Sequence, residues 1–439
     1  MLNKPKDKSQ LGFYSTFEEQ LNPNHGLYKL ANEIQWSFFD TAFSKHYSAT
    51  QGAPAKPIRL MVSLLILKQL RNLSDESVVE QWAENNYYQY FSGEQCFCSN
   101  NPCSSTELVE FRKRIGKDGM ELILKESIRV NGDDANDSNL SGDTTIQEKN
   151  ITYPTDDKLY KKIIDKCQSI AREEGIELRQ SYTQTIKKLS IIQRLRKNKD
   201  GDVKARKASK KVKTIAGRLA REIERKLTSN NLQYYANDLA LYHKILSQKK
   251  GDSNKTYSLH EPHVKCYTKG KQHKRFEFGS KVSILVTQKR GVIVGALNFN
   301  STEHDSKTLP LALEQHKRLT NTQAENIYLD RGYRGPKLVN GVNIHTPKPN
   351  KNITKTKRNK HKRRAAIEPV IGHLKSDYRL NRNFLKGIIG DEINVLLSAA
   401  AMNFKRVMNL WKQRFNNWAE FLLEIIRLTF YTQTIKLTF

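Results

Sequence analysis

The chain has 439 residues, enough for two or three domains of about 150 residues each. Its 75 Lys and Arg against 45 Asp and Glu give a net charge of +30, which excludes an ordinary neutral metabolic enzyme as the default interpretation and favours a polyanionic partner such as nucleic acid. Hydrophobic residues make up 37% of the chain, too many for general disorder. No stretch approaches the roughly 20 apolar residues of a membrane span, and no signal peptide is visible. The odd number of cysteines argues against a disulfide framework. We therefore expect a cytoplasmic protein.

Residues 26–130 predict a helical region. A first helix lies within Ala55–Leu73, and Ser74 is placed to cap the helix that follows. Ser104 and Glu107 have the spacing of a capping box at the start of a third helix. Three short helices in a basic protein fit a helix-turn-helix-like DNA-binding unit, and they fit a plain helical bundle equally well.

Residues 156–255 predict a second helical region with a strongly basic surface. Arg194–Lys226 holds 14 Lys or Arg and 4 acids. A solvated amphipathic helix is one interpretation of this charge, but contact with the DNA backbone is the preferred one because the excess is unusually large. Lys207, Lys210 and Lys211 are the candidate contacts.

Strands are predicted on both sides of this basic region. A short candidate strand is Gly142–Gln147, which is enriched in Thr and Ile. Residues 256–350 predict, in chain order, a hairpin of Lys281–Thr287 and Val292–Asn298, a helix at Thr308–Arg318, and strands at Asn326–Asp330 and Val342–Pro347.

A stripe of apolar residues at helical spacing predicts a further helix over Ile367–Tyr378. Pro369 is tolerated only in the first turn of a helix, so this helix is expected to begin near Ile367 or Glu368. Arg364 and His361 would then lie in the preceding loop.

Three acids have positions that suit chemistry. Asp143 lies on the first candidate strand, Asp330 ends a later strand, and Glu368 opens a helix. If folding gathers them, these oxygen ligands suit Mg²⁺, and a two-metal site can stabilise the attacking and leaving oxygens of phosphoryl transfer. The alternative is chance, because the chain has 45 acids. Glu368 could also simply pair with the run Lys348–Arg364, which holds nine Lys or Arg and no acid.

Two weaker patterns favour ordinary structural roles. Cys96, Cys98 and Cys103 lack a nearby fourth ligand and do not match a standard zinc spacing, so free cysteines are expected. His260 and Glu261 lie beside predicted strands and could support a site, but a surface role on a loop or strand is preferred.

The acidic blocks, taken in order, resemble a known family. The segment Asp143–Asp156 looks like the first catalytic block of bacterial insertion-sequence transposases of the DDE class, and Tyr328–Tyr333 looks like their second block. Arg364, Glu368 and Lys375 are similar to three members of their Tyr-Arg-Glu-Lys signature. The resemblance extends over most of the chain.

The resemblance implies an α/β protein with an RNase H-like, retroviral-integrase-like catalytic core. It implies metal-dependent hydrolysis at transposon ends, followed by attack of the freed 3′-hydroxyl on target DNA. Asp143, Asp330 and Glu368 would be the catalytic metal ligands, holding two Mg²⁺ or Mn²⁺ ions with DNA bound. Arg364 and Lys375 would contact DNA phosphate or support the site. Double-stranded DNA would be the partner of a homodimer or higher homo-oligomer in the bacterial cytoplasm, associated with the nucleoid.

The sequence departs from the family pattern at two places. His361 stands where the signature has Tyr, and Leu140–Gly142 is less apolar than the usual first strand. A decayed DNA-binding protein of the same family and an RNase H-like nuclease without strand transfer are therefore kept as alternatives. The candidate DNA contacts also include the basic residues around His361, namely Arg358, Lys362 and Arg363.

The predicted organisation has five parts. They are a polar lead-in (1–25), a helical and DNA-binding N-terminal domain (26–130), the catalytic core (131–155 with 256–385), the basic helical insertion (156–255) and a C-terminal helical segment (386–439). Within the C-terminal segment, a second apolar stripe runs from Ile393 to Trp411. Residues 416–439 have no assigned role.

Overall fold

The computed structural model describes residues 15–436 except 49, 199–200, 250, 269–274, 334, 336 and 348–353, and it leaves out the side chains of 357 and 417–436. The chain divides into two compact units. Unit 1 combines Met1–Glu148 with Lys281–Phe439, and unit 2 is Lys149–Ser280. The five-part division predicted from the sequence stays a prediction.

Helices make up the described part of unit 1 before residue 131. They are α1 (Phe17–Gln20), α2 (Gly26–Glu33), α3 (Trp36–Ser44), α4 (Ile58–Leu70), α5 (Asp75–Glu84), α6 (Asn86–Phe91) and α7 (Ser105–Val130). Both predicted caps are confirmed. The Ser74 side chain accepts a hydrogen bond from the backbone of Ser77, and Ser104 forms a capping box with Glu107.

Two of these helices differ from the prediction. α4 was expected to have one apolar face, but 12 of its 13 residues are buried, including Lys68. The Lys68 ammonium can be buried because it donates a hydrogen bond to Asp75 at 2.8 Å. Arg112 donates to the same carboxylate. α7 is longer than the short helix predicted. It continues past a break at Gly116, whose φ of 58° is a conformation that favours glycine.

The strands are β1 (Asn139–Lys149), β2 (Lys265–Tyr267), β3 (Glu277–Thr287), β4 (Ile293–Phe299), β5 (Asn326–Tyr328), β6 (Leu338–Val339), β7 (Val342–His345) and β8 (Arg382–Asn383). In unit 1 the neighbours run β3-β1-β5-β7-β6, with β4 on β3 and β8 on β1. β1, β5 and β7 are mutually parallel, whereas β3 and β4 form the predicted antiparallel hairpin. The sheet is therefore mixed.

The remaining helices belong to both units. Unit 2 contains α8 (Asp156–Glu173), α9 (Thr183–Arg194), α10 (Gly201–Lys226) and α11 (Ser229–Ser247), which share a core of their own, and β2, which pairs antiparallel with the first residues of β3. Unit 1 contains α12 (Asp305–Thr320), α13 (Lys355–Arg364), α14 (Ile367–Ser376) and α15 (Gly387–Lys436). Among the described residues, no helix has the length and apolar character needed to cross a membrane.

Several predicted boundaries near the candidate site were wrong. β1 has 11 residues and extends on both sides of the predicted Gly142–Gln147. β5 ends at Tyr328, and α12 begins three residues before the predicted Thr308. α14 begins at Ile367, as the position of Pro369 predicted, but the residues before it are helical in α13 rather than a loop.

Buried side chains tie β1 to α15. The side-chain amide of Asn394 donates to Gln147 at 2.7 Å, and the Gln147 amide donates to the backbone carbonyl of Asp391 at 3.1 Å. These side chains are nearly inaccessible to water, so leaving either unpaired would be costly. The network fixes the C-terminal half of β1, which follows the first candidate catalytic residue.

Candidate active site

The register of two parallel strands brings Asp143 and Asp330 together. Ser141 of β1 is paired with Tyr328 of β5. Each aspartate comes two residues after its paired neighbour, so the two occupy matching positions at the same level. Asp143 lies within β1, and Asp330 lies two residues past the end of β5, so both follow the paired ends of neighbouring strands.

Backbone amide groups hold both aspartates. The Thr144 amide donates to Asp143 Oδ1 at 2.7 Å, and the Gly332 amide donates to Asp330 Oδ1 at 2.8 Å. A Cβ at Gly332 would lie 2.9 Å from Asp330 Oδ1, so a side chain there would push the carboxylate away. The glycine after the second aspartate therefore has a steric role.

A second glycine fits β1 into the core. A Cβ at Gly142 would lie 2.7 Å from Leu329 Cδ2 and 2.9 Å from Leu285 Cδ2. The weakly apolar start of this strand thus has a physical reason, since the neighbouring leucines occupy the space that a larger residue would need.

Asp305, which the sequence analysis missed, lies close to the pair. Its Oδ1 accepts hydrogen bonds from the Thr144 hydroxyl at 2.9 Å and from Lys281 Nζ at 2.8 Å. Its Oδ2 lies 3.3 Å from the position of a Cβ on Gly332. Asp305 therefore contacts the residue that follows Asp143 and the turn that follows Asp330.

The buried Tyr333 shows that the three aspartates share one region. Burial, followed by the charges of Asp305, Asp143 and Asp330, raises the pKa of its hydroxyl well above the usual value. The phenol is thus neutral, and Lys281 forms an ion pair with one of these acids, Asp305. His304, which caps the N-terminus of α12, directly precedes Asp305. This capping residue is the feature of the sequence that could have pointed to Asp305 as the first residue of a helix.

Glu368 lies in the first turn of α14, where the helix dipole favours a negative charge. Its side chain is 64% exposed, and its nearest described cation is Arg364, at 3.6 Å. No described contact joins Glu368 to Asp143 or Asp330. The structure thus brings two of the three predicted catalytic acids together and leaves the third on the surface of α14.

The basic helix α13 packs near the start of β1 and the end of β5. Lys360 donates to the Asn139 side chain at 3.0 Å, and the His361 ring meets the Tyr328 ring edge-on at 5.4 Å. Side chains alternate along a strand, so Asn139 and Asp143 share one face of β1. Arg363 donates to two backbone carbonyls in the turn after β3, which anchors the helix.

His361, at the position of the signature Tyr, is half-buried. Its Nδ1 has no hydrogen-bond partner among the described residues. Burial, and then the charge of Arg364, lowers the pKa of the imidazole. The ring is therefore a neutral aromatic group that packs on Tyr328.

The other predicted residues are distributed as follows. Arg358 and Lys362 are exposed on α13, Lys375 is half-buried on α14, and Lys207, Lys210 and Lys211 are exposed on α10. Cys96, Cys98 and Cys103 carry free thiols, and His260 Nδ1 lies 3.0 Å from the Ser258 hydroxyl.

The donors beside the sheet suit a hard divalent cation. Asp143 and Asp330 offer carboxylate oxygens, which Mg²⁺ and Mn²⁺ prefer, and Mg²⁺ commonly binds through one or two carboxylates plus substrate phosphate. Among the described residues, however, no group of three or more His, Cys, Asp or Glu side chains is arranged to hold a metal ion. The aspartate pair therefore fits such an ion in part, with further ligands still to be supplied.

Comparisons with known proteins agree with this arrangement. Residues 15–114 match a transposase domain (DUF772), and residues 251–404 match a transposase DDE domain. The chain belongs to the insertion-sequence transposases of the DDE class.

A relative supports the assignment. The chain is 40% identical over 184 residues to "Uncharacterized protein ORF8 in nfe locus" of Rhizobium meliloti, an alignment that covers 41% of this chain and 88% of that protein. No solved structure matches the chain. The DDE family implies an enzyme of the nuclease or transferase type, and its members generally depend on divalent metal ions.

Proposed function

We propose that this transposase binds the terminal inverted repeats of an insertion sequence and catalyses metal-dependent DNA cleavage and strand transfer. The observation that carries the proposal is that Asp143 and Asp330 each come two residues after the paired residues Ser141 and Tyr328 of two parallel strands. Carboxylates that lie close together repel one another, so such a pair suits a bound cation. Two-metal phosphoryl transfer uses such a pair.

We also infer that the core is RNase H-like. The antiparallel hairpin of β3 and β4, next to the parallel strands β1, β5 and β7, supports this inference. α12 leads from the hairpin to β5, and its first turn carries Asp305.

In the proposed mechanism, Asp143 and Asp330 would hold the divalent ions, and the ions would supply activation of the attacking oxygen and stabilisation of the leaving oxygen. The backbone amides of Thr144 and Gly332 orient the two carboxylates. Tyr333, buried and neutral, keeps water from one side of the acidic group.

Glu368 would complete the site only with DNA present. Its side chain is 64% exposed, whereas the Arg364 side chain of the ion pair is only 17% exposed. We propose that a DNA phosphate bound beside Arg364 would free the carboxylate to reach the metal site. The resemblance to the Tyr-Arg-Glu-Lys signature also implies that Arg364 contacts DNA phosphate.

The other proposed DNA contacts are cations of α13 and α10. Arg358 and Lys362 are exposed on α13, close in sequence to His361, and Lys375 follows Glu368 on α14. The lysines of α10 form a separate basic surface in unit 2. A homo-oligomer on DNA and a place at the bacterial nucleoid stay predictions.

The test is a cleavage and joining assay on a duplex carrying an element end, with Mg²⁺, comparing the wild-type protein with Asp143→Asn and Asp330→Asn. The wild-type protein should nick the end and join it to target DNA, and each variant should bind the duplex but not cut it. Absence of metal-dependent nicking by the wild-type protein would favour the decayed DNA-binding alternative. Nicking without joined products would favour the nuclease.

A further inference from the structure

Two anchors tie the helical segment α13–α14 to β1. At the first anchor, Lys360 Nζ donates to the side-chain oxygen of Asn139 at 3.0 Å. At the second, the Asn394 side-chain amide donates to Gln147 at 2.7 Å and to the backbone carbonyl of Arg379, just past α14, at 3.0 Å. Asn139 and Gln147 both belong to β1, so one strand holds the segment at its two ends.

The separation of the anchors is the same on the strand and on the helices. Asn139 and Gln147 are eight residues apart, which is about 26 Å at 3.3 Å per strand residue. Lys360 and Ser376, the last residue of α14, are 16 residues apart, which is about 24 Å at 1.5 Å per helical residue. The two residues between α13 and α14 also have right-handed helical dihedral angles. The segment therefore runs alongside β1 from one anchor to the other.

Asp143 and Glu368 lie at the same level between these anchors. Asp143 is four residues after Asn139, about 13 Å along the strand. Glu368 is eight residues after Lys360, about 12 Å along the helices. Ile367 is fully buried, and consecutive helical side chains point about 100° apart. Glu368 therefore lies beside the packed face of α14 rather than opposite to it.

Lys360 differs from the other contacts of α13 because it reaches the strand that carries Asp143. His361 packs on Tyr328 of β5, and Arg363 donates to the turn after β3. The Lys360 ammonium contacts an amide oxygen and, at 5.8 Å, the face of the Tyr328 ring. Neither partner is a carboxylate, so removing the ammonium leaves no acid there without its cation.

We propose that Lys360 is a positioning residue for the reaction. It holds α13 on β1 and thereby sets the level of Glu368 beside Asp143. Completion of the site then requires only rotation of the Glu368 side chain, and α14 stays in place. This inference rests on the proposed function in taking Glu368 as a ligand of the catalytic ions.

The first experiment tests the level of Glu368 without DNA or divalent metal. Asp143→Cys is combined with Glu368→Cys in the full chain, and the protein is treated with a short thiol–thiol cross-linker. The matched control combines Asp143→Cys with Arg358→Cys, at an exposed position of α13 about 15 Å before Glu368 along the helices. Positions 143 and 368 should become linked, whereas positions 143 and 358 should not. Mass spectrometry of the linked peptides separates these products from links made by the five native cysteines.

The second experiment tests the role of Lys360. Lys360→Met should reduce the linking of positions 143 and 368. Without the cysteine substitutions, it should lower kcat for end cleavage by about 10-fold at an almost unchanged KM for DNA, because a displaced ligand slows the reaction. Lys360→Arg keeps a donor for Asn139 and should restore both. The control Lys317→Met removes one charge from an exposed position of α12 and should match the wild type.

The variant is expected to fold, because the Gln288 side chain still donates to the backbone carbonyl of residue 360. Circular dichroism spectra that match the wild type establish this. Absence of the link between positions 143 and 368, or equal linking in the control pair, would show that Glu368 is not at the level of Asp143. An unchanged kcat in Lys360→Met, or a loss that Lys360→Arg does not restore, would also overturn the proposal. Because the linking needs neither DNA nor metal, it gives its answer even if the wild-type protein does not cleave DNA.

Discussion

Replacing Gly142 by alanine tests how tightly the core positions Asp143, the first of the proposed catalytic aspartates. The new Cβ would lie 2.7 Å from Leu329 Cδ2, whereas ordinary contacts begin at 3.4 Å, so this contact must open by about 0.7 Å. Overpacking of this kind in a buried strand typically costs about 1–3 kcal/mol. Because Asp143 is the next residue, part of the displacement passes to its carboxylate. A misplacement of about 1 Å can lower a rate 100-fold.

The free energy of unfolding is measured by urea titration with tryptophan fluorescence, and the rate of end cleavage is measured at the same temperature. All four tryptophans lie within unit 1, so the fluorescence reports the unit that contains Gly142. Gly372→Ala is the matched control, because a Cβ at this exposed position of α14 would contact nothing within 4 Å. That control should stabilise the protein by about 0.5–1 kcal/mol, the usual gain when alanine replaces glycine within a helix.

The expected result is that Gly142→Ala loses stability and loses more cleavage activity than its unfolded fraction explains. Wild-type stability together with wild-type cleavage would refute the packing argument. A loss of stability with unchanged cleavage per folded molecule would show that the strand shift does not reach Asp143.

Further substitutions test the remaining contacts. Asp305→Ala removes the acceptor for Thr144 and Lys281, so it should raise the Mg²⁺ concentration needed for half-maximal cleavage by roughly 10- to 100-fold, and Asp305→Asn should lie between it and the wild type. Glu368→Gln should abolish cleavage while gel-shift affinity for DNA is retained, and cleavage at the wild-type rate would exclude Glu368 as a ligand. Burial raises the pKa of Asp75, but the hydrogen bond from Arg112 and the neighbouring cations outweigh it and bring the pKa to about 2. Because this pKa is lower in the folded state, the stability it provides should be lost as pH falls from about 4 to 2. Asp75→Asn should therefore weaken this acid dependence in urea titrations and cost about 3–5 kcal/mol at neutral pH, because it leaves buried cations without a carboxylate.

Local signals in the sequence predicted part of the candidate site. A strand-end position before a glycine-containing turn favoured Asp330, and the resemblance of the ordered acidic blocks to the DDE family selected Asp143 and Asp330 together, which stay predictions as catalytic residues. Asp305 was missed because hydrophobic periodicity locates the apolar side of a helix and not its first turn. α12 was expected to begin at Thr308, so an acid three residues earlier looked like an ordinary loop residue.

The basic helix α13 shows a different limit of the sequence. Its run of Lys and Arg has almost no apolar side, so no helical stripe could be seen there. In the structure it is held by contacts that periodicity does not reveal, such as His361 on Tyr328 and Arg363 on the turn after β3. Pro369 correctly located the start of α14 but gave no information about the residues before it.

Electrostatics gives a reason for the separation of Glu368 from the two aspartates. Tyr333 already lies in the field of three carboxylates, and Lys281 forms an ion pair with one of them, Asp305. A fourth carboxylate at the same place would add like-charge repulsion in a partly buried region, where it is weakly screened. In the structure Glu368 lies at the surface beside Arg364. Metal ions supply the missing positive charge, and DNA phosphates offer Arg364 another partner, so the two ligands together would favour assembly of the site.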